Sequence, residues 1–277
     1  MVEELQLDLF SQDQVQVREG FSALARLDLT KALAIFEAVL SRWPGHPDAS
    51  GGLRLAVAWD ASLKEMEALP PKDAAAALWG RITAYPFGPA GEALRWGLIR
   101  RAIALLDNDW SFHLPPDVCL GRLLLEVEDY GGAEPALRRL LDRRPFDGKL
   151  WGCLGNCLFR QGSQSEARLA YAKAFLVAPG EMEPTEIDDG ELLEALAEED
   201  VYFAAVYGWL RRVLPLVEIE VESPRDRRHA EALLVYQAVR RAERARASGA
   251  HAEMVEQRRL LKQVAPAVFR EYMGRLS

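Results

Sequence analysis

The chain has 277 residues, 49% hydrophobic and 27% charged, with a formal net charge of −8. That balance belongs to a globular chain able to bury a full core. The three cysteines are odd in number and none are in CxxC spacing, which excludes a disulfide framework and fits a reducing compartment. The opening MVEELQLDLF has neither a basic n-region nor a long apolar run, so a cleaved signal peptide is not expected. No stretch reaches the ~20 apolar residues of a membrane helix, and a cytoplasmic location is the expectation. The charge is unevenly spread. Residues 225–277 hold 12 Arg/Lys against 6 Asp/Glu, whereas 181–200 hold ten acids and no base. Such neighbours either stay solvated on helix faces or pair, within one molecule or across a homodimer.

In chain order, residues 1–12 read as an N-terminal tail, and 13–46 as a helix pair closed by the turn Trp43-Pro44-Gly45-His46-Pro47. Asp48 or Ser50 is placed to cap the next helix, 53–69, which Pro70-Pro71 stops. Residues 72–84 and 90–107, separated by Tyr85-Pro86-Phe87-Gly88-Pro89, form a hairpin without special residues. A connection over 108–116 leads to two further helix pairs, 114–147 and 148–181. Beyond Pro184 come one or two helices over 191–214, with Val201, Tyr202, Ala205 and Trp209 as their buried stripe. Residues 216–222 alternate Val217, Ile219 and Val221 with Glu218, Glu220 and Glu222, a strand-like period that reads as an extended connector. A long helix over 226–248 follows, with Ala230, Leu233, Leu234 and Gln237 inward and Gly249 as C-cap. Two helices, 251–265 and 266–276, close the chain.

The pairs share a register. Leu154, Gly155, Leu158, Ala167, Tyr171 and Pro179 land, 34 residues earlier, on Leu120, Gly121, Leu124, Ala133, Leu137 and Pro145. Gly20, Ala32, Phe36 and Pro44 keep the same internal spacings in 13–46. Gly155 and Ala167 are the small residues expected to let two helix backbones meet. A helical period of this length resembles the tetratricopeptide repeat (TPR). In 148–181, Trp151, Leu154, Gly155, Leu158, Ala167, Tyr171, Ala174 and Pro179 fill the signature positions of that family; 114–147 departs at Asp117 and Leu140. The resemblance implies an all-α, TPR-like antiparallel helix-pair solenoid with a non-repeat helical C-terminal region. Its parts are the tail 1–12, an N-terminal repeat with degenerate hairpins over 13–113, two consecutive repeats over 114–181, and an acidic connector with C-terminal helices over 182–277.

Chemistry is sparse in the sequence. Cys153 and Cys157 lie one helical turn apart without a neighbouring third ligand, so they read as small thiols in a helix contact rather than a metal site. The four histidines are scattered, and there is no phosphate loop, dinucleotide fingerprint or nucleophile elbow. No enzyme activity, cofactor or metal is expected.

The resemblance points instead to protein binding. First helices of successive repeats line a groove for an extended peptide, which places Lys149, Gly152, Asn156, Phe159 and Arg160 on it, with Val118, Arg122, Leu125 and Glu126 from the preceding repeat. Chaperone-binding members carry a basic residue where Gly152 and Val118 stand, so a clamp of that type is not implied. The groove is open either to a partner or to a segment of the chain itself. Separately, Gln6-Leu7-Asp8-Leu9-Phe10 resembles the peptide by which bacterial replication and repair proteins bind the β sliding clamp, with Leu9 and Phe10 as apolar anchors on an extended tail; the alternative is a terminal segment folded on the first repeat. Arg240, Arg241 and Arg244 are placed to touch nucleic-acid phosphates. With the clamp peptide they compose an alternative reading, a replication- or repair-associated adaptor.

Overall fold

The structure is a computed structural model; it describes residues 2–115, 118–182, 184–218 and 223–276, and side chains from residue 12 onward except at Pro184. Among the described residues the fold is all-α and TPR-like, with fourteen α-helices and one two-stranded ribbon. The chain divides into two compact units, Met1–Asp129 and Tyr130–Ser277. The division falls inside the stretch 114–181 that the sequence reading takes as one block.

The first unit opens with α1 (Val2–Ala25) and α2 (Leu29–Arg42), capped by Asp28, whose carboxylate accepts from the Lys31 N–H at 3.1 Å. The backbone of the expected tail is thus helical, because no Gly or Pro interrupts the chain before Gly20. The side chains of Gln6, Leu7, Asp8, Leu9 and Phe10 lie outside the described residues. Helix α3 (Pro47–Met66) starts six residues before its expected position. Pro47 sits in its first turn, and the cap is the His46 ring, which accepts from the Ala49 N–H at 3.4 Å, rather than Asp48 or Ser50. Helices α4 (Pro71–Ala84) and α5 (Gly88–Leu105) pack as the expected hairpin. Trp59 of α3 stacks on Phe87 between them, with ring centroids 5.4 Å apart.

The connection before the next helix is not plain loop. His113–Leu114 (β1) and Val118–Cys119 (β2) pair antiparallel, so Val118, expected on a helix, lies in a strand. As a result α6 (Leu120–Glu126) has only seven residues, capped by the Cys119 sulfur. It packs on α5.

In the second unit α7 (Tyr130–Arg143) is followed by the best helix pair, α8 (Gly148–Arg160) and α9 (Gln164–Val177). Asp147 caps α8 by accepting from the Leu150 N–H at 3.1 Å, and Gly162 takes the left-handed conformation (φ +82°) that the tight turn requires. The side chain seated directly over Gly155 is Tyr171. A Cβ there would lie 2.5 Å from Cε1 of the Tyr171 ring, so the glycine makes a seat for an aromatic ring. Gly20 and Phe36 repeat this arrangement in the α1–α2 pair, at 2.6 Å. The physical reason is geometric: the ring sixteen residues along reaches across the pair and needs a bare backbone below it. Trp151 is half-buried. Its indole N–H donates to the Pro145 carbonyl at 2.8 Å, and the Lys173 ammonium sits 4.3 Å from the ring centroid.

Beyond α9 a 3-10 turn, Pro179–Glu181, leads through a second, Pro184–Glu186, to α10 (Gly190–Leu196). A third turn precedes α11 (Ala204–Leu210); Ala205 and Trp209 are buried there, whereas Val201 and Tyr202 are half-buried. The strand-like stretch 219–222 lies outside the described residues. Just before it, Val217 is held by one phenol: its N–H donates to Tyr236 Oη at 2.7 Å, and the Tyr236 hydroxyl donates to its carbonyl at 3.1 Å.

Helix α12 (Arg227–Ser248) is capped by Asp226 and ended by Gly249 at φ +75°. Its inward face is His229, Ala232, Leu233, Tyr236 and Val239; of the expected set Leu233 is buried and Ala230 half-buried, whereas Leu234 is 42% exposed and Gln237 is exposed. The buried His229 ring accepts from the Arg225 N–H at its Nδ1 and donates from Nε2 to the Leu176 carbonyl at 2.8 Å, tying α12 to the end of α9. Helices α13 (His251–Val264) and α14 (Pro266–Leu276) complete the unit, with Val268 and Tyr272 buried and Phe269 half-buried. The Arg275 guanidinium lies over Trp209, 4.1 Å from the ring centroid, and donates to the carbonyls of Trp209 and Leu210 at the end of α11.

Candidate functional site

The residues expected to line a groove on α8 are brought together, and they are already in use. Asn156 is 6% exposed. Its side-chain amide donates to the Glu186 carbonyl at 2.6 Å, while its oxygen accepts from the Tyr171 hydroxyl at 2.6 Å and from the Asp188 N–H at 3.2 Å. One amide therefore reads a C=O and an N–H two residues apart on the same chain segment. Tyr171 orients the amide from behind, and burial raises the phenol above its ordinary pKa, so it remains a donor at neutral pH.

The charges follow the same path. Lys149 Nζ pairs with Glu186 at 2.5 Å. Arg160 grips Asp188 in a fork, Nε to Oδ2 at 2.7 Å and Nη2 to Oδ1 at 3.0 Å, a hydrogen bond that raises the arginine's pKa further. On α9, Arg168 holds Asp189 at 2.7 Å and Glu191 at 2.5 Å. Asp189 is 1% exposed and also accepts from the Leu192 N–H at 3.2 Å, capping α10. Ile187, between these acids, is buried. At the other end the Glu181 carboxylate accepts from the Gly148 N–H at 3.1 Å and pairs with Arg225.

Gly152 explains its own departure from the chaperone-type pattern. A Cβ there would stand 2.5 Å from Met182 Sδ and 2.6 Å from Cε. The methionine occupies the space that a basic side chain would need.

Of the other groove candidates, Phe159 is half-buried, and Leu125, expected to face outward, is buried at 3% exposure. Arg122 pairs with Glu126 at 3.0 Å, and Glu126 also binds Arg95 of α5. Arg240 pairs with Glu218 at 3.0 Å, whereas Arg241 and Arg244 are exposed with no acidic partner among the described residues. Cys153 and Cys157 are both buried, and burial pushes the Cys157 thiol up to about 11. Among the described residues no three His, Cys, Asp or Glu side chains gather as a metal site, and no helix is long and apolar enough to cross a membrane.

Sequence reasoning missed Arg168, Met182, Glu186, Asp188 and Asp189. The signal available was the base-free run of acids directly following the repeat. Two of its members pair with the basic C-terminal region, Glu181 with Arg225 just before α12 and Asp200 with Arg228 in its first turn. Glu186, Asp188, Asp189 and Glu191 turn instead to α8 and α9.

A search of curated proteins and of solved structures finds no match. A family model, tetratricopeptide repeat, matches residues 120–181. That span contains the glycine seat, the polar shelf of α8 and the turn that leads into the acidic segment. Residues 120–181 thus carry a tetratricopeptide-repeat match.

Proposed function

We propose that this chain is a non-enzymatic protein-interaction scaffold, and that the α8–α9 pair is where it receives a segment of a partner protein. One observation carries the reading. The pair already holds the stretch 186–188, at the exit of a 3-10 turn, by a carboxamide that reads backbone and bases that read carboxylates. Backbone contacts give affinity for a main chain in this conformation, and the flanking bases select its charge. The repeat family supports a protein partner in general terms.

The test is affinity capture with the full-length chain and with its Lys149→Glu/Arg160→Glu variant, both verified as folded by circular dichroism. Arg160 is exposed and Lys149 keeps 17% exposure, so neither belongs to the apolar core. A captured protein lost from the variant supports the proposal. Equal capture by both chains places the interface elsewhere.

A further inference from the structure

We infer that residues 186–188 are a built-in competitor for this groove: its partner is an acidic segment with carboxylates in the register of Glu186 and Asp188, admitted when the chain's own segment swings out. The inference rests on the reading of α8–α9 as the partner site. Three observations carry it.

First, the segment is bound in two different ways along its length. Upstream, Glu186 and Asp188 are held by ion pairs whose acidic side chains keep 32% and 26% exposure. Partly exposed pairs of this kind contribute little each and weaken with salt. Downstream, Asp189 is buried against Arg168 and caps α10. Between the two acids Ile187 is buried at 5% exposure, so release of 186–188 must also expose that side chain, while Asp189 keeps α10 anchored.

Second, the contacts to the segment do not depend on its being covalently attached. Toward the segment, Asn156 hydrogen-bonds main-chain atoms of Glu186 and Asp188, and Lys149 and Arg160 pair with its carboxylates. A partner with Glu-apolar-Asp spacing would present the same atoms. Gly152 adds a shallow seat that Met182 fills with a flexible thioether.

Third, tethering makes the internal segment a strong competitor without strong contacts. A short linker holds a ligand at an effective concentration on the order of millimolar. A free segment with identical chemistry then binds weakly until the tethered copy is released. Loss of charge on the internal acids, or high local concentration of an acidic partner, opens the groove.

The experiment uses the full chain and a fluorescein-labelled peptide of residues 181–191, EMEPTEIDDGE, with a scrambled peptide as control, read by fluorescence anisotropy. The Glu186→Gln/Asp188→Asn variant should bind the peptide at least about tenfold more tightly than the wild type. Adding Arg160→Glu should abolish that binding, and the scrambled peptide should bind neither chain. Glu186→Gln alone, which alters only the lysine pair, serves if the double variant unfolds. Equal affinity of folded variant and wild type overturns the inference and makes the segment a fixed part of the fold. Partner capture that still depends on Arg160 would then leave the proposed function standing, so the two failures are distinguishable.

Discussion

Gly155→Ala tests the ring-on-glycine packing that defines the repeat. The added Cβ would stand 2.5 Å from Cε1 and 2.6 Å from Cδ1 of Tyr171, and 3.0 Å from Cζ. The ring must yield by about an ångström to restore van der Waals contact. It has little freedom to do so, since Tyr171 is 0% exposed and its hydroxyl is bonded to Asn156 at 2.6 Å. Overpacking of this kind costs about 1–3 kcal/mol. Replacing Gly by Ala within a helix returns about 1 kcal/mol. With the ring pinned, the upper part of the cost range applies, and the net effect is a destabilisation of about 1–2 kcal/mol. For a urea m-value of about 2 kcal/mol/M, the midpoint falls by about 0.5–1 M. Gly80→Ala, on the exposed side of α4 with nothing within 4 Å of the new Cβ, isolates the propensity effect and should stabilise by about 1 kcal/mol. Urea unfolding followed by far-ultraviolet circular dichroism reads both. If Gly155→Ala stabilises as Gly80→Ala does, the glycine is not a seat and the reasoning fails.

Tyr236→Phe removes the hydroxyl that satisfies both polar groups of Val217. It should destabilise by about 1–3 kcal/mol through an orphaned buried N–H; an unchanged urea midpoint contradicts this. The Cys157 thiol, buried and raised to about 11, is protonated and shielded at pH 8. Iodoacetamide under native conditions should leave it unmodified while the urea-unfolded chain is alkylated; rapid native labelling seen by mass spectrometry refutes the burial. Gly152→Val should eject Met182 from its seat and raise hydrogen exchange around Met182 relative to α9. Unchanged exchange would show that the methionine does not rest there.

The repeats were legible because they are local. A glycine, an alanine, an aromatic and a proline at fixed spacing reveal a helix pair without knowledge of what lies around it, and Asp226 and Gly249 mark the ends of α12 as the sequence implies. What was not legible depends on distance or phase. The pairs Lys149–Glu186, Arg160–Asp188 and Arg168–Asp189 join residues 37, 28 and 21 positions apart, so no local pattern announces them. Along α12 the run Ala232, Leu233, Leu234, Val235, Tyr236 is apolar almost all round, and periodicity alone cannot choose its inward side. The ribbon β1–β2 shortens α6 because two residues before and two after the turn pair with each other, a tertiary choice with no helix-breaking signal at Val118. Gly152 was visible as a departure from a family pattern, but its meaning required Met182, thirty residues on.

The claim on which the functional reading rests is that the chain's own acidic segment occupies the α8 shelf. Zero-length carbodiimide cross-linking, mapped by mass spectrometry at low protein concentration, tests it most directly, because it joins only an amine and a carboxylate already in contact. Lys149 Nζ and Glu186 Oε2 lie 2.5 Å apart, and Lys72–Asp109 at 2.5 Å and Lys64–Asp60 at 2.7 Å serve as internal references elsewhere in the chain. The account predicts an intramolecular Lys149–Glu186 bond formed alongside the reference pairs. Reference bonds without that one would contradict it and leave the shelf empty.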